Sequence, residues 1–256
     1  MIDLHAHVLP DWDDGAADQA ESDRMIEIAR EDGISGIALT PHVFSMSKTR
    51  NEAKDLKIRI RAFRDQTKPS GVDFYPGAEV YVHTEMISHI REHELTVNGS
   101  DYVFIEFPSQ SLSGGASNLI YRMMLAGLIP IISHPERNAE FARRPQALYE
   151  AVRNGALAQV TAQSLLGGFG KHTQKTSELF LRYGLVHLIA SDAHNALARP
   201  PRLSAAVEKA AEIAGAAKAS AMVTAVPVAI LENQQIPDLG EPKEPGKDHW
   251  PRYLFR

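Results

Sequence analysis

Ile2-Asp3-Leu4-His5-Ala6-His7, followed by Asp13-Asp14-Gly15, opens the chain and decides how the rest of it reads. A short apolar run ending in two histidines one residue apart suits a buried strand that delivers both imidazoles to its C-terminal edge, where α/β barrels keep their chemistry. Residues i and i+2 of a strand share a face, so His5 and His7 can converge on one ion while Leu4 and Ala6 pack the other way. Taken alone, His-x-His is weak evidence. Its meaning depends on what the other strands bring to the same edge.

The chain has 256 residues, 44% of them hydrophobic, enough for one α/β barrel of about 200–250 residues. A net charge of -5 and a pI near 6.1 argue against nucleic acid or an anionic membrane as a bulk electrostatic partner. With no cysteine, disulfides, thiolate zinc sites and cysteine nucleophiles are excluded, so any metal must sit on His, Asp and Glu. No basic leader precedes an apolar run, and no stretch approaches the roughly 18–20 apolar residues that span a bilayer. A soluble, cytoplasmic protein without membrane insertion is expected.

Working outward from the first strand, short apolar runs alternate with amphipathic segments. A helix is predicted over Asp18 to Asp32, closed by Gly33, then a strand from Ile34 to Thr40, turned by Pro41-His42. A charged helix over Asn51 to Lys68, a strand from Val72 to Val82 and a short helix over Glu85 to His93 follow. Tyr102 to Glu106 and Leu128 to His134 read as strands around a helix near Ser117 to Ala126. After a helix over Pro145 to Asn154 come a strand at Leu157 to Thr161, the loop Gly167-Gly168-Phe169-Gly170, a further helix, and a strand at Val186 to Asp192. Seven such alternations predict a mainly parallel sheet closed into a barrel, with a doubly wound open sheet as the competing form.

Arg202 to Gln234 is alanine-rich and reads as two helices broken near Gly215 or Pro227. The division expected is a barrel over residues 1–234 and a proline-rich, extended or mobile tail over 235–256. Trp250, Tyr253, Leu254 and Phe255 in that tail could dock on the domain or on a neighbouring subunit, so an oligomer is compatible with the sequence.

His5, His7, Asp14, His42, Glu79, Glu106, His134, Asp192 and His194 all fall at or just after the C-terminal end of a predicted strand. Each has an innocent alternative, but a coincidence across the whole set is poor. His83, His89, His93, His172, His187 and His249 do not fit the placement and are assigned surface or packing roles. Nine N and O donors exceed the four that one zinc ion takes and suit two or three divalent ions, manganese, iron or zinc rather than copper. Such a cluster activates water near neutral pH, and the chemistry implied is hydrolysis. Arg137 and Arg199 follow His134 and His194 onto the same rim, and guanidinium matches phosphate oxygens in bidentate geometry. A local carboxylate such as Glu136 or Glu140 is the competing partner for these arginines.

The segments Asp3-Leu4-His5-Ala6-His7-Val8-Leu9-Pro10, Asp13-Asp14-Gly15, Thr40-Pro41-His42, Gly77-Ala78-Glu79, Ile105-Glu106-Phe107, Ser133-His134-Pro135-Glu136-Arg137 and Ser191-Asp192-Ala193-His194-Asn195 resemble the polymerase and histidinol phosphatase (PHP) superfamily. Within it the chain is similar to the manganese-dependent protein-tyrosine phosphatases of bacterial capsule and exopolysaccharide clusters, the CpsB/CapC type. Gln159 to Gly170 matches that subgroup too, and the likeness runs to about residue 232. The resemblance implies a distorted (β/α)7 barrel with three metals. His5, His7, Glu79 and Asp192 would hold the first, Glu79, Glu106 and His134 the second, and Asp14, His42 and His194 the third. Arg137 and Arg199 would engage the phosphate, and the substrate would be a phosphotyrosine protein such as a bacterial tyrosine kinase.

Departures cluster at the expected substrate mouth. Val43 stands where relatives often place His or Arg, Phe44 to Arg50 lacks the usual loop pattern, and Trp12 replaces an aliphatic residue. Three other outcomes therefore stay in play. One is a small-molecule phosphatase of the histidinol-phosphate type, and another a non-catalytic phosphopeptide-binding module. The third, a proofreading exonuclease, is disfavoured by the acidic balance.

Overall fold

In the computed structural model of the protein, residues 1–44, 53–67, 70–112 and 115–246 are described. His249, the tail aromatics and most of the loop from Phe44 to Arg50 lie outside them. Seven strand positions run parallel around a ring. The first is β1 (Ile2–Ala6). The second is split into β2 (Gly36–Leu39) and β3 (His42–Val43), and the third into β4 (Asp73–Pro76) and β5 (Glu79–Tyr81). β6 (Tyr102–Glu106), β7 (Ile129–Ser133), β8 (Leu157–Thr161) and β9 (Leu188–Ala190) complete it. The ladders run β1-β2-β4 and β3-β5-β6-β7-β8-β9.

The ring closes between β9 and β1. Asp192 N–H donates to the His5 carbonyl and His7 N–H to the Ala193 carbonyl, both at 2.8 Å. Asp3 reinforces the seam, its carboxylate accepting the Ser191 N–H at 3.0 Å and the Ser191 hydroxyl. The structure is therefore the closed barrel and not the open doubly wound sheet. Its interior is filled by Leu4, Ala38, Phe104, Ile131, Leu157 and Leu188, and one end is stoppered by Val226, Ile230 and Leu231. Alternate residues such as Val103, Ile105, Ile132 and Val160 face outward under the helices, as the two-residue period of a strand requires.

Both splits have local causes. Pro41 has no N–H for the ladder, and Thr40 Oγ1 instead accepts the Ala6 N–H at 3.0 Å. Gly77 breaks the expected strand from Val72 to Val82, and a Cβ there would meet Thr40 Cγ2 at 3.1 Å. The strand expected from Val186 to Asp192 shortens because Asp192 turns left-handed, with φ of 51°.

The connecting helices follow the amphipathic segments. α1 (Gln19–Glu31) is capped by Asp18, whose carboxylate accepts the Glu21 N–H at 2.7 Å. α2 (Leu56–Thr67), α3 (Met86–His93) and α4 (Ala116–Leu125) follow. α5 (Ala139–Arg143) and α6 (Pro145–Arg153) precede β8, and α7 (Ala162–Leu165) and α8 (Gly170–Arg182) follow it. The C-terminal region holds three helices, α9 (Ser204–Ala214), α10 (Ala216–Ala221) and α11 (Ala225–Leu231), where two were expected. Gly215, at φ of 91°, makes the first break. Pro227 makes none, because it sits in the first turn of α11, where a missing N–H breaks no intrahelical bond.

Residues 235–246 are extended and laid on the barrel. Lys243 N–H donates to the Tyr183 carbonyl at 2.8 Å, and Arg153 pairs with Glu241 at 3.3 Å. Among the described residues no helix is long and apolar enough to cross a membrane.

His187, assigned a packing role from sequence, has one. Its Nδ1 accepts the Ala158 N–H at 3.1 Å, and burial pushes its pKa from 6.5 down to about 4. The folded value lies below the unfolded one, so only the unfolded chain takes the proton between these limits, and stability falls as pH drops from about 6.5 towards 4. His187→Gln is expected to remove on the order of 2–3 kcal/mol from the difference in unfolding free energy between pH 7 and pH 4, measured by urea denaturation. An unchanged difference would contradict it.

Candidate metal centre

The strand ends turn their terminal side chains into one mouth, and the structure brings all nine predicted donors to it. Three clusters have donor atoms mutually within 4.8 Å: His5, His7 and Asp192; His7, Asp14, His42 and His194; and His42, Glu79 and Glu106. His134 joins through its Nε2, 3.0 Å from Glu79 Oε1. Glu79 is the hub. Its Oε2 lies 2.9 Å from His42 Nδ1, 3.4 Å from His5 Nε2 and 3.6 Å from His7 Nε2. His42 faces two ways, with Nε2 3.3 Å from Asp14 and Nδ1 towards Glu79 and Glu106. A neutral imidazole has a single lone pair, so His42 can ligate on one side only. His134 and Asp192 both hold the left-handed conformation, at φ of 34° and 51°, local strain of the kind that gathers at functional sites.

Residues behind the donors fix their orientation. Gln159 Oε1 accepts the His134 backbone N–H at 3.2 Å, which identifies it as the oxygen, so the His5 Nδ1 3.0 Å away must carry a proton. Asp13 Oδ2 lies 2.8 Å from His7 Nδ1, and His194 Nδ1 lies 2.9 Å from the Asp192 carbonyl. Each partner holds a hydrogen on Nδ1 and leaves the Nε2 lone pair for the centre, the usual arrangement around metal-ligating histidines. Gly15 makes this possible, since a Cβ there would lie 2.2 Å from the His7 carbonyl oxygen.

The electrostatics demand positive charge. Burial would lower the pKa of His7, but the Asp13 and Asp192 carboxylates override it and hold it at about 10. Glu79 and Asp192 lie well below the usual carboxylate range despite burial, the first through His5 and His42, the second mainly through Arg137. Burial, with the Arg137 charge beside it, pushes His134 down to about 4, and burial with His7 beside it does the same to His194. The fit to a cation rests on His5 and His7. With both Nδ1 protons engaged elsewhere, their Nε2 atoms face each other across 3.2 Å, a contact that needs a proton or a cation between the two nitrogens, and the proton that the raised pKa puts on His7 occupies the place a shared cation would take.

Arg137 and Arg199 close one side of the mouth. Neither pairs with Glu136 or Glu140. Both bind Asp192, Arg199 Nη2 at 2.6 Å from Oδ2 and Arg137 on the same oxygen. Their guanidinium carbons sit 5.6 Å and 4.9 Å from the Phe169 ring centroid, within cation–π range. Glu140 is taken by Arg144, and Glu136 accepts the Thr161 N–H. His83 and His89, assigned no role, hydrogen-bond to each other at 2.9 Å beside Phe44.

Sequence reasoning missed Asp13, Gln159 and Phe169 as parts of this site. Gln159 had a signal, a buried amide in the middle of an apolar strand that brought no donor of its own. Gln159→Leu is expected to keep the fold and lower Mn2+ affinity about 10- to 100-fold, the usual cost of losing an outer partner. Calorimetric titration of the stripped protein measures it, and wild-type affinity would contradict the role.

A closed parallel β/α barrel with clustered His and carboxylate donors and a paired-arginine rim has the architecture of a barrel metallohydrolase. The chain belongs to the CpsB/CapC family of capsular polysaccharide synthesis, whose sequence profile matches residues 1–232. Tyrosine-protein phosphatase YwqE of Bacillus subtilis is 36% identical over 202 residues, 78% of this chain and 79% of that one. Tyrosine-protein phosphatase CpsB of Streptococcus pneumoniae is 28% identical over 247 residues, 92% of this chain and all of that one. A crystal structure from work on these two proteins, described as unique metal-dependent tyrosine phosphatases, superposes with a TM-score of 0.89 at 33% identity, covering 96% of this chain and 100% of that one. Histidinol phosphate phosphatase from Lactococcus lactis shares the fold, with a TM-score of 0.55 at 14% identity over 85% of this chain and 93% of that one.

Proposed function

We propose that the protein is a manganese-dependent protein-tyrosine phosphatase, with His5, His7, Asp14, His42, Glu79, Glu106, His134, Asp192 and His194 as its metal ligands and Arg137 and Arg199 as its phosphate clamp. Its substrate is a phosphotyrosine protein, a bacterial tyrosine kinase of capsule or exopolysaccharide synthesis, which puts its action in the cytoplasm, where ATP-dependent phosphorylation takes place. The observation that carries this reading is the arginine pair. The Nε–H groups of Arg137 and Arg199 are buried and have no hydrogen-bond partner among the described residues, so each keeps an unused donor beside the Asp192 carboxylate that an incoming oxyanion would satisfy. The tyrosine phosphatase relatives support the same substrate class.

Divalent ions bound at such a donor set supply activation of water and neutralisation of phosphate charge. Mixed imidazole and carboxylate donors suit manganese, with iron and zinc as the other candidates. The protein's own groups do the rest. Asp13, Gln159 and the Asp192 carbonyl hold three imidazoles in one tautomer. Phe169 keeps both guanidinium planes in place beside Asp192, where they can cradle the phosphate oxygens. Tyrosine leaves with a solution pKa of about 10, so an arginine beside the departing oxygen can stabilise it without a strong acid.

The test is phosphate release by manganese-loaded protein from a tyrosine-phosphorylated kinase peptide and from histidinol phosphate. The peptide is expected to be turned over far faster. Preference for histidinol phosphate would favour the small-molecule reading, and peptide binding without release would favour a non-catalytic module.

A further inference from the structure

Between the loop after β6 and the turn after β7 lies a cavity of about 140 Å³ that shares a wall with the centre. Glu106, His134, Arg137 and Asn138 line it together with Phe107 and Phe141. The two phenylalanines meet edge to face, centroids 5.6 Å apart with their planes at 89°. Ser133 also lines the space. It is only 4% exposed, and its Oγ has no hydrogen-bond partner among the described residues. A buried hydroxyl without a partner is unfavourable, and here it sits one residue before a candidate ligand, at the junction of cavity and centre.

Size, lining and position select one kind of occupant. A volume of about 140 Å³ matches a single six-membered ring, a cavity of about 150 Å³ being enough for benzene, and Phe107 and Phe141 give such a ring apolar contact among the polar groups of Glu106, Ser133, His134, Arg137 and Asn138. Phenylalanine rings prefer a third aromatic group at offset or edge-on contact. Because Arg137 is among the lining residues, a ring inside the cavity can be joined to a phosphate at the arginine clamp.

We propose that this cavity seats the aromatic ring of a monocyclic aryl phosphomonoester, with the Ser133 hydroxyl donating a hydrogen bond to the phenolic oxygen that leaves. The assignment rests on the phosphatase reading and narrows it to the leaving group. In the reaction, water oxygen forms the new bond to phosphorus and the P–O(aryl) bond breaks with its electron pair going to the phenolic oxygen, which departs with one of the water's two protons while the other stays on the phosphate. Ser133 keeps its own proton and stabilises the leaving oxygen through that hydrogen bond. Specificity for tyrosine over serine or threonine then has a physical source, since a short aliphatic chain leaves the cavity unfilled.

Manganese-loaded wild-type protein tests this with phenyl phosphate and 1-naphthyl phosphate, two aryl esters with leaving groups of similar acidity. kcat/KM is expected to favour the single ring at least about tenfold. Ser109 lines the same space and is exposed, so Ser109→Phe can fill it without burying a new side chain in the core. That variant is expected to lose at least about tenfold in kcat/KM on phenyl phosphate, with the inhibition constant of inorganic phosphate unchanged. Ser133→Ala is expected to lower kcat on phenyl phosphate about three- to tenfold at unchanged phosphate inhibition. Equal turnover of both esters, together with undiminished phenyl phosphate turnover by Ser109→Phe, would overturn the assignment while leaving the phosphatase reading intact. Wild-type protein that releases phosphate from no ester would sink that reading, and this assignment with it.

Discussion

Glu79→Gln is expected to lower phosphate release by at least about a thousandfold, beyond the 10- to 100-fold that losing an outer partner costs. The reason is the position of its carboxylate. One oxygen stands within 2.9–3.6 Å of nitrogens of His42, His5 and His7, and the other lies 3.0 Å from His134, so Glu79 is the residue that can bridge ions. Glutamine keeps the shape and removes the charge, and it places an N–H₂ group, which cannot ligate, among imidazole nitrogens. The side chain is fully buried, so the variant needs a check that the fold survives. Circular dichroism and bound manganese per chain, measured beside the rate, separate loss of metal from loss of structure. Wild-type turnover by a folded Glu79→Gln protein would contradict its bridging role.

Arg137→Ala and Arg199→Ala carry the second large effect, an expected loss of about 10²- to 10³-fold in kcat for each, the size seen when one preorganised donor to a developing oxyanion is removed. Lysine should rescue poorly, because a point charge reproduces neither the planar fork nor the stacking on Phe169. Both arginines share Asp192 Oδ2, so they act as a unit, and the double variant should lose far less than the product of the two single losses. Initial rates on phosphotyrosine peptide over a range of concentrations decide it. Unchanged kcat with only a raised KM would make the arginines binding groups without a role in the transition state.

Much of this site was legible in the sequence because barrel topology does the gathering. Parallel strands end on one face, so any polar residue that terminates an apolar run is delivered there, whatever its distance along the chain. His5, His7, Glu106, His134 and Asp192 could be picked out for that reason alone, whereas His42 and Glu79 open the second halves of split strands, Glu79 reaching the rim because Gly77 breaks the strand expected from Val72 to Val82. What the sequence hid is what sets pairings at short range. Asp13 and Asp14 are neighbours of identical chemistry, and only the fold turns one against His7 Nδ1 and the other towards His42 and His194. The arginines' preference for Asp192 over Glu136 and Glu140 is set by which strand ends meet in the closed ring, which local propensity does not show. The split strands were likewise invisible, since Gly77 and Pro41 act through contacts with Thr40 and Ala6 on neighbouring strands.

The most direct test of the central claim is anomalous diffraction at the manganese edge from crystals soaked in Mn2+. Strong peaks among the donor side chains, at least one within coordination distance of Glu79, with His5, His7 and Asp192 around one and His42, Glu106, His134, Asp14 and His194 shared among the others, are the result this account predicts. Ordered crystals soaked in excess manganese with no peak among these nine side chains would contradict it.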